Sequence, residues 1–305
     1  MRFDGLDLNL LVALDVLLET QSVTDASRQL HLSQPSVSAA LSRLRDYFQD
    51  DLLTQIGRRM TPTAKGESLA PAIKEMLNLV RFKITNADRY DVHTSRRKFR
   101  VLASDYAYDI LLCRVLAKAE ILSPHVTFDI APTGPGGIRQ FHNGDIDVMI
   151  AVSNYLVDEH PHALLFEDED AVICWSEGRY AKGLNAAEFL EASHAVAVFG
   201  EERRPTISES HFEEQGIQRK IAVRVGSFSA LPGAVVGTDR VALMHRRHAE
   251  LYSKLYPITH HALPVSGPGV KELVQWHRLR ESDPGARWLI DLMLEEAAQL
   301  DPMRR

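Results

Sequence analysis

Residues 31–48 read HLSQPSVSAALSRLRDYF, and the fold of the N-terminal part of the chain follows from this stretch. Ser33 is a favourable N-cap, and Pro35 is tolerated in the first helical turn because its missing N–H would be unpaired there. Apolar residues then recur at spacings of four, three and four, which places them on one helix face: Val37, Leu41, Leu44 and Phe48. The opposite face carries small polar and basic residues: Gln34, Ser36, Ser38, Ser42, Arg43 and Arg45.

Two more helices are predicted before this one. The first has its apolar stripe at Leu8, Leu11, Leu14 and Leu18, and the second can be capped by Ser22 or Thr24. The short turn into the third helix is typical of a helix-turn-helix. A Gln/Ser-rich first turn suits the DNA major groove, because small side chains allow close approach and Gln34 can pair with adenine. An ordinary helical domain with a solvated serine face is the structural alternative.

The segment that follows adds a possible second contact with a duplex. Residues 55–63 read QIGRRMTPT, which predicts a short β-hairpin with Arg58 and Arg59 near its tip. Such a wing would hold the flanking phosphate backbone or the minor groove. Residues 24–65 carry only six basic against four acidic groups. Affinity for DNA would therefore depend on the placement of these groups and on dimerisation more than on bulk charge.

A longer helix is predicted over residues 63–90, opening near Thr63 or Lys65. Its apolar stripe has helical spacing throughout: Leu69, Ile73, Leu77, Val80, Ile84 and Ala87. The stripe could pack against its own domain. We favour a helix-to-helix dimer, because a helix-turn-helix usually reads two half-sites with two copies.

Composition limits the class of protein. The chain has 305 residues with a net charge of −6, and hydrophobic residues make up 45% of it, which excludes a disordered chain and a fibre. The N-terminus lacks the basic region of a signal peptide and no run of 18 apolar residues occurs, so we expect a cytoplasmic protein. Cys113 and Cys174 cannot form a disulfide scaffold, and both are predicted as core residues. A basic stretch at 95–98 marks a plausible domain junction.

Residues 99–305 alternate short apolar strands with helices, which predicts an α/β domain with a largely parallel sheet. Strands are predicted at 99–103, 126–131 and 148–152, and then in a second group at 171–175, 195–199, 221–225 and 241–244. The chain returns through 274–276 to a last helix, with Asp283 as N-cap and Pro284 in its first turn. Crossings near Phe166 and Pro264 would create two lobes around a cleft that can close on a ligand.

Ligands of such sheets lie beyond the carboxyl ends of the strands. By that rule the candidate ligand contacts are aromatic, aliphatic and hydroxyl side chains with few charges: Ser104, Asp105, Tyr106, Thr133, Val152, Phe199, Ser227 and Phe228. Ser104 is the strongest candidate, since a helix N-terminus there offers free N–H groups. No arginine is placed to clamp a carboxylate. A small, partly apolar and possibly aromatic ligand fits this set.

Other motifs argue against an enzyme. Residues 133–137 (TGPGG) lack the order of a nucleotide-binding loop and are predicted as a tight turn, and no nucleophile–base signature occurs. The histidines in 158–162 (DEHPH) and 260–261 lack a third ligand, so neither a metal nor a cofactor is expected. The acidic run 167–170 (EDED) is predicted as a solvated strand edge. An α/β enzyme or a solute-binding protein with a helical appendage is the alternative.

The stretches LDLNLLVALDVLLET, SVTDASRQLHLSQPSVSAALSRLRDYFQDDLL and GRRMTPTAKG in residues 1–65 resemble the winged helix-turn-helix of LysR-type transcriptional regulators. MRFDGLDLNLLVALD, RRKFRVLASDY, HPHALLFEDE and QWHRLRESDPGARWL resemble the nodulation-regulator branch, whose relatives sense aromatic compounds. The resemblance covers essentially the whole chain. It places the DNA contacts on seven residues: Gln34, Pro35, Ser36, Ser38, Arg43, Arg58 and Arg59. We add Thr24 and Ser42 to this set.

The resemblance implies an α/β chain with three parts. A winged helix-turn-helix DNA-binding domain would occupy residues 1–62 and a linker helix for dimerisation residues 63–95. A two-lobed effector domain similar to periplasmic binding proteins would occupy 96–305, with lobe I at about 96–165 and 265–305 and lobe II at about 166–264. The implied partners are promoter DNA, RNA polymerase, a small aromatic or phenolic inducer and further copies of the chain, as a homodimer or homotetramer. The sequence does not distinguish activator from repressor.

Overall fold

The computed structural model describes residues 2–3, 5–56, 59–80, 84, 90–200 and 202–300. The chain divides into two compact units, Met1–Ala87 and Asp88–Arg305. The N-terminal unit contains, in chain order, β1 (Arg2–Phe3), β2 (Leu6–Asp7), α1 (Asn9–Thr20), α2 (Val23–Leu30), α3 (Gln34–Phe48), β3 (Leu53–Ile56), β4 (Arg59–Pro62) and α4 (Ala64–Leu79).

The ends of α2 and α3 are fixed by local hydrogen bonds. The Ser33 hydroxyl caps α3 and accepts a hydrogen bond from the Ser36 N–H at 3.3 Å, as the sequence predicts. Ser22, and not Thr24, caps α2, where its hydroxyl accepts from the Asp25 N–H at 3.2 Å. His31 ends α2 in the left-handed region, with φ of 53°, so the chain turns at once into α3. The predicted helix-turn-helix is therefore present.

The core of this unit is formed by the predicted apolar stripes. Val37 and Leu44 of α3 are fully buried, and they share one cluster with Leu14 and Leu17 of α1. The strands β3 and β4 follow α3 in the chain and form the predicted antiparallel hairpin, in which Ile56 is paired with Arg59. Residues 57–58, at its tip, lie outside the described residues.

The stripe on α4 divides into two parts. Ile73 is buried in the core of the N-terminal unit, with Leu69 and Leu77 packed against the same cluster. Val80 and Ile84, further along the stripe, are 42% and 70% exposed. The stripe thus packs against its own domain in its first half only. Residues 81–83 and 85–89 of the predicted helix, Ala87 among them, lie outside the described residues.

The C-terminal unit is an α/β structure with strands in two sheets. In chain order its elements are β5 (Lys98–Ala103), α5 (Asp105–Ala107), α6 (Cys113–Leu122), β6 (Thr127–Pro132), α7 (Pro135–His142), β7 (Val148–Val152), β8 (His162–Asp168), β9 (Asp170–Trp175), α8 (Ala186–Glu191), β10 (Ser193–Phe199), β11 (Arg204–Pro205), α9 (Ile207–Glu214), β12 (Lys220–Val225), α10 (Leu231–Val235), β13 (Val241–His245), α11 (Arg246–Tyr252), β14 (Ile258–Ala262), β15 (Val270–Trp276) and α12 (Pro284–Ala298).

The first sheet has the strand order β6-β5-β7-β15-β8. The second has the order β11-β10-β13-β9-β14, with β12 also paired to β10. A π-helical segment, Tyr108–Leu112, joins α5 to α6, so one helical stretch with a widened turn follows β5. The strands β8 and β14 were not among the predicted ones, and both belong to the segments where the chain crosses between the sheets.

The expectation of a largely parallel sheet is wrong. In the first sheet β5 pairs parallel with β6 and β7, but β15 pairs antiparallel with both β7 and β8. In the second sheet β10 pairs parallel with β12 and β13, whereas β9 pairs antiparallel with β13 and β14. Each sheet is mixed because one strand next to a crossing, β15 in the first sheet and β9 in the second, runs against the direction of the βα repeats.

The two lobes are joined at two places. The first crossing is the single residue Glu169, between β8 of the first sheet and β9 of the second. The second crossing is 263–269, between β14 of the second sheet and β15 of the first. Phe166 and Pro264 were predicted near these points. Because β8 neighbours β15 and β9 neighbours β14, the two crossings connect adjacent antiparallel strand pairs.

A buried ion cluster fastens the returning helix α12 to the first sheet. Asp283 caps α12 by accepting hydrogen bonds from the N–H groups of Gly285 and Ala286 at 3.0 and 3.2 Å. The Arg97 guanidinium binds both Asp283 oxygens, at 2.6 and 2.8 Å, and also reaches Asp147 at 2.5 Å. Burial would raise the pKa of Asp283, but hydrogen bonds from Arg97 hold it below its usual value.

Gly66, in the first turn of α4, provides a test of packing in the N-terminal unit. A Cβ at this position would lie 2.4 Å from the Leu52 carbonyl oxygen. We expect Gly66→Ala to destabilise this unit by about 1–3 kcal/mol, because backbone must shift to relieve the overlap. The measurement is differential scanning calorimetry of the full chain.

Gly136→Ala is the matched control for this substitution. Gly136 also lies in the first turn of a helix, α7, but a Cβ there meets nothing within 4 Å. We expect this variant to unfold at or slightly above the wild-type temperature, since alanine is the better helix former. Equal transition temperatures for Gly66→Ala and wild type would contradict the close approach to Leu52.

Candidate functional site

The exposed face of α3 collects the predicted DNA-contacting residues. While Val37, Leu41 and Leu44 face the core, the residues proposed for contact are all exposed: Gln34, Pro35, Ser36, Ser38, Ser42 and Arg43. The surface they form is narrow and polar, with small side chains over its first two turns. Such a surface can approach the base edges closely and present both hydrogen-bond donors and acceptors to them.

The remaining predicted contacts have different settings. The Arg43 guanidinium lies 3.2 Å from an oxygen of Asp7, and its side chain is still 51% exposed, so it can also reach a phosphate. Thr24 is half-buried in the first turn of α2. Arg58 and the side chain of Arg59 lie outside the described part of the wing.

The C-terminal unit contains a cleft whose empty space, with the open solvent at its mouth included, is about 740 Å³. Five of the eight residues predicted to contact an effector line it: Ser104, Thr133, Val152, Phe199 and Phe228. Ser104 and Val152 follow or end strands of the first sheet, whereas Phe199 ends β10 of the second. The strand-end rule therefore brings residues of both lobes to one cavity.

The other three predicted residues do not line the cleft. Tyr106 is fully buried, and its hydroxyl donates to Asp168 at 2.6 Å. Asp105 accepts a hydrogen bond from the Ser229 N–H at 2.7 Å, and the Ser227 hydroxyl accepts one from the Ser229 hydroxyl at 3.0 Å. Residues in the first turn after Ser104 rotate away from the strand end, so only Ser104 itself faces the cavity.

Lobe-to-lobe hydrogen bonds hold the sheets together beside the cleft. Asp109, in the segment after α5, contacts His248 Nε2 at 2.9 Å and accepts from the Tyr252 hydroxyl at 3.0 Å, both of α11. Across the cavity, the hydroxyl of the lining residue Tyr155 donates to the Pro205 carbonyl at 2.8 Å. The observed arrangement is therefore one in which the lobes are in direct contact.

Sequence reasoning missed eleven lining residues: Gly134, Ile138, Met149, Ile150, Ala151, Tyr155, Arg204, Thr206, Ile207, His245 and Glu272. The β7 residues were missed because the rule considers only strand ends. Glu272 was missed because β15 runs antiparallel and presents its opposite end to the cleft. Arg204 lines the cleft although no arginine was predicted there, and its guanidinium is paired with Glu202 at 2.8 Å.

Two buried ionisable side chains, His245 and Glu272, face the cleft. Burial alone would lower the pKa of His245, but its hydrogen bond to Asp170, with Nδ1 2.9 Å from a carboxylate oxygen, raises it. Asp170 also accepts a short hydrogen bond from the Ser208 hydroxyl. Burial raises the pKa of Glu272 to about 7.

The acidic run 167–170 is not the solvated edge that the sequence predicts. The side chains of Asp168 and Asp170 are each only 3% exposed, whereas Glu167 and Glu169 face outward. Alternate residues of an extended chain point to opposite sides, so every second carboxylate turns into the lobe junction. Tyr106 and His245 supply the hydrogen bonds that make this burial possible.

Other expectations have mixed outcomes. Residues 133–137 do not form a tight turn: α7 begins at Pro135, which is favourable in a first turn. Cys174 is buried, with its pKa raised to about 11 by burial, but Cys113 is exposed on the outer side of α6 and is not a core residue.

Among the residues that the structure describes, no group of three His, Cys, Asp or Glu could hold a metal ion, and this includes the histidines of 158–162 and 260–261.

Comparison with known proteins identifies both units. Residues 8–67 match the bacterial regulatory helix-turn-helix protein family, lysR family, and residues 93–298 match the LysR substrate binding domain. This chain belongs to the LysR family of transcriptional regulators. It is a DNA-binding regulator and not an enzyme, with an N-terminal helix-turn-helix and a C-terminal effector-binding domain.

Relatives of this LysR regulator match over nearly its whole length. It is 38% identical to Nodulation protein D 3 of Rhizobium leguminosarum bv. phaseoli over 301 residues, which cover 98% of this chain and 100% of that one. It is 36% identical to Nodulation protein D of Azorhizobium caulinodans, covering 98% and 96% of the two chains. The family and branch indicated by the sequence motifs are thus confirmed.

Solved structures confirm the fold. The probable transcriptional regulator PA0477 from Pseudomonas aeruginosa has a TM-score of 0.65 at 24% identity, covering 95% of this chain and 97% of that one. Full-length CbnR in complex with its target DNA has a TM-score of 0.51 at 15% identity, covering 96% and 100%. None of the described helices has the length and apolar character needed to cross a membrane.

The shifted carboxyl of Glu272 predicts a pH-dependent stability. Its folded pKa of about 7 lies above the ordinary 4.5, so the native state binds the proton more tightly. The contribution of Glu272 to the unfolding free energy should therefore fall by roughly 3 kcal/mol as pH rises from 4.5 to 7, and Glu272→Gln should remove this pH dependence. The measurement is urea unfolding followed by tryptophan fluorescence, which reports on the C-terminal unit because Trp175, Trp276 and Trp288 all lie there.

Glu120→Gln, which neutralises an exposed carboxylate on α6, is the control. We expect its stability to follow the wild-type pH curve. If the Glu272→Gln curve also runs parallel to wild type from pH 4.5 to 7.5, the carboxyl of Glu272 is not shifted by burial.

Proposed function

We propose that this LysR regulator reads promoter DNA with the exposed face of α3 from two copies of the chain. In this proposal Gln34, Ser36 and Ser38 meet base edges in the major groove, with Pro35 and Ser42 at the same surface. Arg43, Thr24 and the wing residues Arg58 and Arg59 hold the backbone. The observation that carries the proposal is the exposure of this polar face on a helix whose other face is buried.

The proposed dimer contact is the distal part of the apolar stripe, beyond Leu77. Val80 and Ile84 of this stripe are 42% and 70% exposed and the neighbouring Leu79 is 42% exposed, although each is strongly apolar. A second copy of the same helix would remove this surface from water, and a homotetramer would add a further contact. We retain the division into residues 1–62, 63–95 and 96–305, in which this helix is the linker.

The proposed inducer site is the cleft between lobe I, about 96–165 and 265–305, and lobe II, about 166–264. Its wall is dominated by aliphatic and aromatic side chains, among them Met149, Ile150, Phe199 and Phe228, which suits a small aromatic or phenolic inducer. Such a ligand acts by binding one arrangement of the lobes better than another, and so changes how the copies hold DNA and meet RNA polymerase.

DNA binding by α3 is tested with the region upstream of the regulator's own gene. We expect Gln34→Ala to weaken binding about tenfold, because a base contact is lost. Arg43→Ala should weaken binding and lower the slope of log affinity against log salt by about 1, because one phosphate contact is lost. The measurement is a gel-shift titration at several salt concentrations.

Arg287→Ala is the matched control for Arg43→Ala. It removes the same charge from an exposed position on α12, where Arg287 pairs with Asp291. We expect unchanged affinity and salt slope for this variant. Unchanged DNA binding by both α3 variants would rule out α3 as the reading helix.

The α4 contact is tested with Ile84→Glu. A charge in a buried helix contact is costly, so we expect the dimer to dissociate at micromolar concentration and half-site pairing on DNA to be lost. Analytical ultracentrifugation measures the mass. Leu255→Glu, at a loop residue that is 67% exposed, is the control and should behave as wild type. A dimer that is equally stable in Ile84→Glu and wild type would place the contact elsewhere.

A further inference from the structure

The wall of the cleft is mainly apolar, and its polar lining residues include three hydroxyl side chains and three ionisable ones: Ser104, Thr133, Thr206, Arg204, His245 and Glu272. Nine of the lining residues are aliphatic or aromatic: Ile138, Met149, Ile150, Ala151, Val152, Tyr155, Phe199, Ile207 and Phe228. Glu272 and His245 lie within this lining and are only 3% exposed each. A ligand that fills the cleft therefore meets mainly hydrocarbon, and His245 and Glu272 are the buried ionisable groups that it meets.

Glu272 has hydrogen-bonding capacity that the protein does not use. Its Oε2 is buried and has no hydrogen-bond partner in the part of the chain that the structure describes. Buried carboxyl oxygens without partners are rare, because desolvation is then uncompensated. A group that lines a ligand cavity can have its partner on the ligand, and the unused position is an oxygen that accepts a hydrogen bond.

The charges around Glu272 select against an ionic ligand. Asp168 lies close enough for its charge to raise the pKa of Glu272, so an anion would enter a region that is already negative. The positive charge of His245 lowers the pKa of Glu272, so a cationic ligand would meet a like charge there. Arg204 lines the cleft but is held by Glu202 at 2.9 Å through Nε and 2.8 Å through Nη2. An uncharged hydrogen-bond donor avoids these costs.

We propose that the cleft recognises an uncharged aromatic ligand through a hydroxyl group that donates a hydrogen bond to Glu272 Oε2, and that it discriminates against carboxylates of the same shape. This inference rests on the proposed function of the cleft as the inducer site. The aromatic body packs between Met149 and Ile150 of one lobe and Phe199 and Phe228 of the other. Glu272 then contributes specificity, and the apolar wall contributes most of the affinity.

The test uses three probes that share one ring system: 2-naphthol, 2-methoxynaphthalene and 2-naphthoate. Isothermal titration calorimetry of the full-length chain measures their dissociation constants at pH 7.5. We expect 2-naphthol to bind about tenfold more tightly than 2-methoxynaphthalene, which has no hydroxyl donor, and 2-naphthoate to bind weakest.

Two variants at Glu272 separate the hydrogen bond from the packing. Glu272→Leu removes the acceptor, and 2-naphthol should then lose its tenfold advantage over 2-methoxynaphthalene. Glu272→Gln keeps a carbonyl acceptor at the same place and should retain a clear preference for 2-naphthol. Circular dichroism and the thermal midpoint establish that each variant is folded before it is titrated.

Thr133→Phe shows whether the probes occupy the cleft. Thr133 lines the cleft and is half-buried, so a larger side chain can enter the cavity without displacing the core. This variant should weaken all three probes together, and circular dichroism establishes that it is folded before it is titrated.

The outcomes separate the role of Glu272 from the role of the cleft. Equal binding of 2-naphthol and 2-methoxynaphthalene, tightest binding of 2-naphthoate, or a preference for 2-naphthol that persists in Glu272→Leu would overturn the role of Glu272 and leave the cleft as a ligand site. If none of the probes binds wild type, or if Thr133→Phe binds them as wild type does, the cleft is not the aromatic inducer site and both proposals fail.

Discussion

The two chain crossings between the lobes are the constraint on which the effector-binding unit depends. Because Glu169 and residues 263–269 connect neighbouring antiparallel strand pairs, the sheets are joined along one side and the cleft lies beside this junction. The junction also determines where charge is buried. Asp168 and Asp170 flank the first crossing, and β15, which begins after the second, carries Glu272. Tyr106 and His245 provide the partners that let the two aspartates stay there.

In the DNA-binding unit the corresponding constraint is the division of α3 into two faces. Three of its apolar residues are buried against α1, so the polar residues must face water. The caps at Ser22 and Ser33 and the left-handed His31 leave three residues between the helices, which fixes their relative direction. Local caps and one apolar stripe are thus enough to explain why the polar face of α3 lies at the surface.

Much of this architecture could be predicted from the sequence because it depends on local periodicity. The stripe at Val37, Leu41 and Leu44, the cap at Asp283 and the strand β7 follow from residue spacing alone. Strand direction could not be predicted, because the pairing of β15 with β7 and β8 depends on where the chain returns after more than 90 residues. Lining residues at the carboxyl ends of strands could be predicted. Glu272 could not, because β15 runs antiparallel and brings its amino-terminal end to the cleft. The burial of Asp168 could not be deduced either, since its partner Tyr106 is 62 residues away.

The contrast between the two thiols has a practical consequence. Cys174 is enclosed in the second lobe, whereas Cys113 is exposed and its Sγ lies 3.0 Å from the Asp109 carbonyl oxygen. The side chain of that same Asp109 binds His248 and Tyr252 of the opposite lobe. A maleimide fluorophore would thus attach selectively, without mutagenesis, one helical turn from the contacts that must rearrange when the lobes move. The chain carries its own labelling site for following effector-driven motion in real time.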